Sequence, residues 1–199
     1  EEALRFLAEN VRVPLFADAV SAAKAARLRP ILGRLTAFKP NRMEAELLSG
    51  VRIEDAQSAV RAARALLDTG LERVFITLGP GGALAADRAQ VCRLPSLLPH
   101  LTNATGAGDA FTAAMVWAWL RGLGLRESCL AGNAAAAFTG QSDITRTQAV
   151  SVLVSLGVLN GKSDGTFEPD GPVTAREAAK MLLTAGYSAE KAVSYTHLR

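Results

Sequence analysis

Apolar residues recur along this chain in two rhythms, and the alternation between them organises most of its length. Spacing of every third or fourth residue predicts α-helices over residues 2–9, 22–28, 41–50 and 54–70, and a further long helix in TAAMVWAWL after Gly108. Between these lie short β-branched and aromatic runs. They predict strands at VPLFAD (13–18), LTAFK (35–39) and RVFITLG (73–79), and a hairpin through GALAAD and QVCRLP. The helix over 54–70 shows its own limits: Glu54 and Asp55 complement the positive end of its dipole, and Gly70 is placed to stop it. Strands that alternate with helices predict an α/β fold, a parallel sheet covered by helices on both faces.

One helix start departs from the ordinary pattern. In NATGAGDAF, residues 103–111, Gly106, Ala107 and Gly108 stand at the mouth of the helix and Asp109 in its first turn. Ligands of open α/β sheets collect beyond the carboxyl ends of the strands, where helix N-termini direct unpaired N–H groups at the crevice. Glycines there allow backbone angles and a closeness of approach that a side chain would block. The amides can then surround phosphate or alkoxide charge. Asp109 lies within reach of a hydroxyl presented to the same cradle and could take its proton. That is an arrangement for phosphoryl transfer, in which positioning and electrostatics supply most of the acceleration. The same residues also make a plain glycine-rich cap with Asp109 as a solvated carboxylate, and spacing alone leaves both readings open.

Three further segments bear on the choice. KPNRMEAELLSG follows a short strand and offers Asn41 and Glu44 on one helical face. Such a pair can hold a hydrated Mg2+ through water and orient phosphate oxygens. It can equally close a capping box, with Asn41 as the N-cap. TLGPGG, residues 77–82, ends a strand in a turn that could lie against a nucleotide or simply close a hairpin. Asp18 ends PLFAD at a strand's carboxyl end, the ligand-binding end of such sheets.

KPNRMEAELLSG, FITLGPGGAL and NATGAGDAF, in this order and at these separations, resemble the C-terminal half of the ribokinase-like family of sugar and nucleoside kinases. PLFADAVSAAKAARLRPIL, before KPN, is most similar to that family's pseudouridine-kinase branch. The similarity covers residues 1–141, and TGAGD is its most specific element. It implies a three-layer α/β/α architecture with a mainly parallel sheet, here incomplete. It also implies ATP and Mg2+ as cofactors, and a sugar or nucleoside substrate with pseudouridine foremost. Residue by residue it implies Asp109 as catalytic base and Gly106, Ala107 and Gly108 as the anion hole. Asn41 and Glu44 would position Mg2+ and phosphate, and Thr77, Gly79, Gly82, Thr105 and Asn133 would contact the nucleotide. K+ is a further cation that the family implies. Most relatives carry Asp-Thr where this chain has Asn103-Ala104-Thr105, which weakens the case for K+ more than the case for a kinase. A homodimer is implied for full-length members. Their N-terminal half, with a sugar-binding segment and a β lid, does not precede Glu1. Without a lid water is not excluded, so the expectation is that this polypeptide does not turn over by itself.

Composition narrows the classes. The 199 residues are 49% apolar and 21% charged, enough for one core or a core with a small annex. The net charge of +3 rests on scattered arginines and makes no basic stripe, which disfavours a nucleic-acid partner. Cys92, Cys129, His100 and His197 show no metal-ligand spacing, as expected of thiols in a reducing cytoplasm. No apolar run reaches the ~18 residues of a membrane span, and the charged, amphipathic start EEALRFLAEN does not read as a leader.

The charge balance changes along the chain. Up to Gln141 arginine far outnumbers lysine, whereas from Ser142 onward the two are equal and the net charge is zero. The later part, AVSVLVSLGVLNGKSDGTFEPDGPVTAREAAKMLL, shows a helix, a turn through Gly157 and Gly161, an exposed DGTFEP loop and a second helix capped by Thr174. It resembles a single S-layer homology repeat, a small all-α helical hairpin, although the order Thr174-Ala175-Arg176-Glu177 moves the basic residue by one position. The resemblance implies a cell-wall polymer as partner and a cell-surface location. Asp164, Phe167 and Pro169 also make a plain turn with an aromatic plug. VSYTHLR, residues 193–199, resembles a translated adapter end from sequencing libraries. The domain expectation is therefore a kinase half at 1–141, a repeat at 142–192 and a non-native tail at 193–199, joined in a chimeric reading frame.

Overall fold

A computed structural model describes residues 2–97 and 106–138; Asn103, Ala104, Thr105, the repeat-like stretch 142–192 and the tail 193–199 lie outside the described residues. The chain divides into two units, Glu1–Pro99 and His100–Arg199.

The first unit follows the predicted alternation. Helix α1 (Glu2–Asn10) leads to strand β1 (Phe16–Asp18), then α2 (Ala22–Ala25) and a 3-10 run (Ala26–Arg34), then β2 (Ala37–Lys39). Helices α3 (Arg42–Ser49) and α4 (Ala56–Leu67) follow, and then β3 (Arg73–Thr77), β4 (Ala83–Asp87) and β5 (Val91–Leu94). The helix expected over 22–28 gives way to the 3-10 run because Pro30 sits inside it. A proline there has no N–H to donate, and its ring crowds the preceding turn. The strands expected at 13–18 and 35–39 shorten to three residues each at their carboxyl ends. Helix α4 also ends before Gly70: the Thr69 hydroxyl donates to the Leu66 carbonyl at 2.6 Å, and the Gly70 N–H to Leu67 at 3.0 Å.

Five strands form one sheet in the order β1-β2-β3-β4-β5. The β1/β2 and β2/β3 pairs are parallel, as crossovers through helices require, and the β3/β4 and β4/β5 hairpins are antiparallel. The sheet is thus mixed, a parallel part extended by the expected hairpin. Residues alternate between its faces. One face carries Phe38, Val74, Ile76, Leu84 and Ala86 into a core shared with Ala45 and Leu48 of α3 and Ala59, Ala62 and Leu66 of α4. On the other face Ala37, Phe75, Ala83, Ala85 and Leu94 are buried too, which accounts for the nearly continuous apolar runs of the strands.

Two of the arginines that give the chain its positive balance close helix ends. Arg34 donates to the Ala8 and Val11 carbonyls at the end of α1, and Arg29 to Leu47 and Leu48 at the end of α3. Each meets carbonyls that the helix itself leaves unpaired.

In the second unit, α5 (Ala107–Leu120) packs against α6 (Leu125–Phe138). Phe111, Met115 and Trp117 of α5 are buried, as are Leu125, Cys129, Ala131 and Ala134 of α6. A Cβ on Gly132 would stand 2.6 Å from the Phe111 ring, so that position must be glycine for α6 to accept the ring.

Candidate functional site

Helix α5 begins at an unusual backbone angle. Gly106 is the N-cap with φ 81 and ψ −11, a left-handed conformation that strains any residue with a Cβ. A Cβ there would meet nothing within 4 Å, so backbone angle, and not crowding by the described protein, demands the glycine. Among the described residues no side chain caps the helix. The amides of Ala107, Gly108 and Asp109 belong to the first turn, which has no carbonyl of its own to offer them. Gly106 and Asp109 are both exposed, and among the described residues nothing lies within 4 Å of a Cβ placed on the glycine. An open, uncapped amide cluster beside a solvent-accessible carboxylate can take an anion and receive a proton from a neighbouring hydroxyl. Asn133 lies in α6 at 8% exposure.

Asn41, Glu44, Thr77, Gly79 and Gly82 belong to the first unit, at or just beyond the carboxyl ends of β2 and β3. Asn41 is the N-cap of α3: its Oδ1 accepts from the Glu44 N–H at 3.0 Å, and the Asn41 N–H donates to Glu44 Oε2 at 2.8 Å. This is the capping box, formed in full. It spends one oxygen of each side chain on the backbone. Asn41 also forms a parallel bridge with Thr77, and the Thr77 N–H donates to the Pro40 carbonyl at 3.0 Å. Asn41, Glu44 and Thr77 are therefore brought together by the fold.

The turn after Thr77 is a hairpin connection with two different glycines. Gly79 is exposed, and a Cβ on it would meet nothing within 4 Å. Gly82 is buried at φ 86, and a Cβ on it would collide with the Leu94 carbonyl of β5. Gly82 thus closes the sheet, while Gly79 leaves its surface open to a ligand.

One residue beside Asp18, Lys39, carries no assignment from sequence reasoning. Asp18, at the end of β1, pairs with Lys39, at the end of β2, with 2.9 Å between Oδ2 and Nζ. The register sets these residues side by side. The available signal was a lone lysine closing the apolar strand LTAFK. Val20, two residues beyond Asp18, is held at φ 65, an unusual angle for a β-branched residue.

The described residues include no group of three or more His, Cys, Asp or Glu that could ligate a metal ion.

Polar residues thus stand at the carboxyl ends of the parallel strands of an α/β sheet, the end at which the ligands of such sheets bind, and a left-handed glycine opens α5. Residues 1–150 match the pfkB family carbohydrate kinase model, and residues 142–179 match the S-layer homology domain model. The chain belongs to the pfkB family of carbohydrate kinases. It is 30% identical over 168 residues to the pseudouridine kinase of Escherichia coli, an alignment covering 80% of this chain and 54% of that protein. It is 36% identical over 109 residues to the ribokinase of Haemophilus influenzae, covering 55% of this chain and 36% of that protein. A carbohydrate kinase from Agrobacterium tumefaciens superposes with a TM-score of 0.58 at 33% identity, covering 78% of this chain and 49% of that one. The chain spans about half, or less, of the length of these relatives.

Proposed function

We infer that the chain carries the phosphoryl-donor part of an ATP-dependent kinase acting on a hydroxyl of a sugar or nucleoside. The observation that carries this reading is the α5 mouth: an exposed, left-handed Gly106, no capping side chain among the described residues, and an exposed Asp109 in the first turn. In this reading the Ala107 and Gly108 amides hold a phosphoryl oxygen, and the Asp109 carboxylate takes the proton of the attacking hydroxyl. Gly79, Thr77, Thr105 and Asn133 serve the nucleotide. Gly82 acts indirectly, by shaping the turn. Asn41 and Glu44 orient Mg2+-bound phosphate through water. Bound ATP supplies the transferable phosphoryl group, and Mg2+ spreads its charge.

Identity to the Escherichia coli pseudouridine kinase, extending over most of this chain, favours pseudouridine as the acceptor class. The 199-residue polypeptide is expected to bind nucleotide without turning over. Isothermal calorimetry with Mg2+ and ATP, beside a phosphotransfer assay with pseudouridine, tests both statements. Absence of ATP binding would overturn the kinase reading, and turnover above an Asp109→Asn control would overturn the expected inactivity.

A second reading rests on the match of residues 142–179 to the S-layer homology model, which lies outside the described residues. It assigns those residues to a cell-wall polymer at the cell surface, with the kinase part cytoplasmic if the junction is not natural. Sedimentation with purified peptidoglycan tests the binding. Amplification across the junction from source DNA tests the fusion. Among the described residues no helix is long and apolar enough to cross a membrane.

A further inference from the structure

The turn that follows β1 holds strain that burial does not offset. Among the described residues Val20 is the one non-glycine at positive φ, 65, and the Ser21 N–H donates across it to the Ala19 carbonyl at 2.7 Å. A hydrogen bond that spans a single residue at positive φ makes a γ-turn of the rare, strained kind. A side chain branched at Cβ adds to the strain, and glycine would make the same turn without it. Yet the Val20 side chain packs little against the protein: at 73% it is the most exposed of the large apolar residues described. Its neighbours hold the turn in place. Ala19 is 3% exposed, the Ser21 hydroxyl accepts from the Lys24 N–H at 3.4 Å as the cap of α2, and Asp18 is paired with Lys39. An anchored backbone thus lifts one isopropyl group into solvent two residues beyond the end of β1, at the edge of the sheet where ligands bind. Strain of this kind persists at ligand clamps, where the surrounding structure imposes it. An isopropyl group offers no donor, acceptor or charge. It suits the C–H face of a ribose or the plane of a base, and has nothing for phosphate.

We propose that Val20 is an apolar contact for the nucleoside moiety of the ligand, held against its ribose or base by the strained turn. The inference rests on the kinase reading and adds a specificity-determining residue to it. The nucleoside is that of the phosphoryl donor or that of the acceptor; the chemistry of the contact is the same.

The test uses the full 199-residue chain. Binding of ATP, adenosine, pseudouridine and inorganic tripolyphosphate is measured by calorimetry for wild type, Val20→Gly and Val20→Thr, beside urea unfolding. Val20→Gly removes strain and contact together. Its ratio of folded to unfolded molecules should hold level or rise, by up to about tenfold, because relief of strain outweighs the greater freedom of glycine in the unfolded chain. The nucleoside ligand should bind it about 5- to 20-fold more weakly, with tripolyphosphate bound as in wild type. Val20→Thr keeps the branched shape and the turn but sets a hydroxyl against the apolar face, and should weaken the same ligand by a smaller factor. Weakening of ATP and adenosine assigns the contact to the donor, and weakening of pseudouridine alone assigns it to the acceptor. In wild type the Val20 methyl signals of a 13C–1H spectrum should move on adding that nucleoside and stay in place with tripolyphosphate. Nucleoside affinities unchanged in both variants, a tripolyphosphate affinity that falls as far as theirs, or unmoved Val20 methyl signals would overturn the proposal. So would a Val20→Gly chain less stable than wild type, since the side chain would then serve the fold. Failure of wild type to bind ATP would instead overturn the kinase reading beneath it.

Discussion

Glu44 is the residue at which a structural role and a chemical role can be separated most cleanly. It is 2% exposed, and its Oε2 accepts from the Asn41 N–H at 2.8 Å, so its carboxylate serves the start of α3 whether or not a ligand binds. Replacement by glutamine keeps an oxygen able to accept that bond, since glutamine closes the same box. What goes is the charge. A charge-assisted bond is about twice as strong as a neutral one, so the folded state should lose only about 1 kcal/mol. Asn41→Ala is the complementary change: it removes the acceptor of the 3.0 Å bond from the Glu44 N–H and should cost about 1 kcal/mol as a lost cap. If Glu44 also holds a hydrated Mg2+ at phosphate, Glu44→Gln weakens ATP binding by about tenfold, or ~1.4 kcal/mol, in the presence of Mg2+. With EDTA the same variant binds ATP like wild type. Calorimetry in the two buffers, beside urea unfolding, reads both quantities. The metal role is refuted if Glu44→Gln binds ATP like wild type in Mg2+, or if its loss of affinity is the same with and without the metal.

Further outcomes follow from the geometry. Gly132→Ala forces a Cβ against the Phe111 ring at 2.6 Å and should destabilise the protein by about 1–3 kcal/mol in urea, with partial recovery on adding Phe111→Leu. Gly106→Ala forces a side-chain-bearing residue to φ 81, at about 1–2 kcal/mol in unfolding experiments, although no atom stands in its way. The Asp55 carboxyl, the N-cap of α4, is held below its usual value by hydrogen bonds from the Ser58 hydroxyl and amide. A depressed carboxyl stabilises the fold above the ordinary aspartate value of 3.8, and that contribution is lost as pH falls through and below it. Asp55→Asn keeps the capping oxygen and should flatten acid unfolding in that window. An unchanged pH profile contradicts the assignment.

What could be read beforehand was local. Asp55, with a hydroxyl three residues on, and Asn41, with Glu44 three residues on, announce helix starts because a cap is satisfied within one turn. The left-handed start at Gly106 was legible from TGAGD because few other residues tolerate that angle. The helix expected over 22–28 yields from Ala26 to a 3-10 run whose cause, Pro30, lies beyond the residues that carry the helical periodicity. The pairing of Asp18 with Lys39 depends on the register of two parallel strands, and nothing along the chain fixes that register. The requirement at Gly82 comes from the Leu94 carbonyl on another strand, and at Gly132 from the Phe111 ring on another helix. Both are tertiary in origin. The capping box at α3 shows the opposite case: spacing permitted a metal role and a cap, and the structure forms the cap in full, so any role toward Mg2+ must share that carboxylate.

The account depends most on phosphate meeting the backbone amides at the start of α5. A 15N–1H spectrum of the 199-residue chain, recorded while Mg2+ and ATP are added, tests this directly. The amide signals of Ala107, Gly108 and Asp109 should move together and saturate with the affinity found by calorimetry. If ATP binds and those three signals stay in place while others move, the anion site lies elsewhere and the role given to Asp109 falls with it.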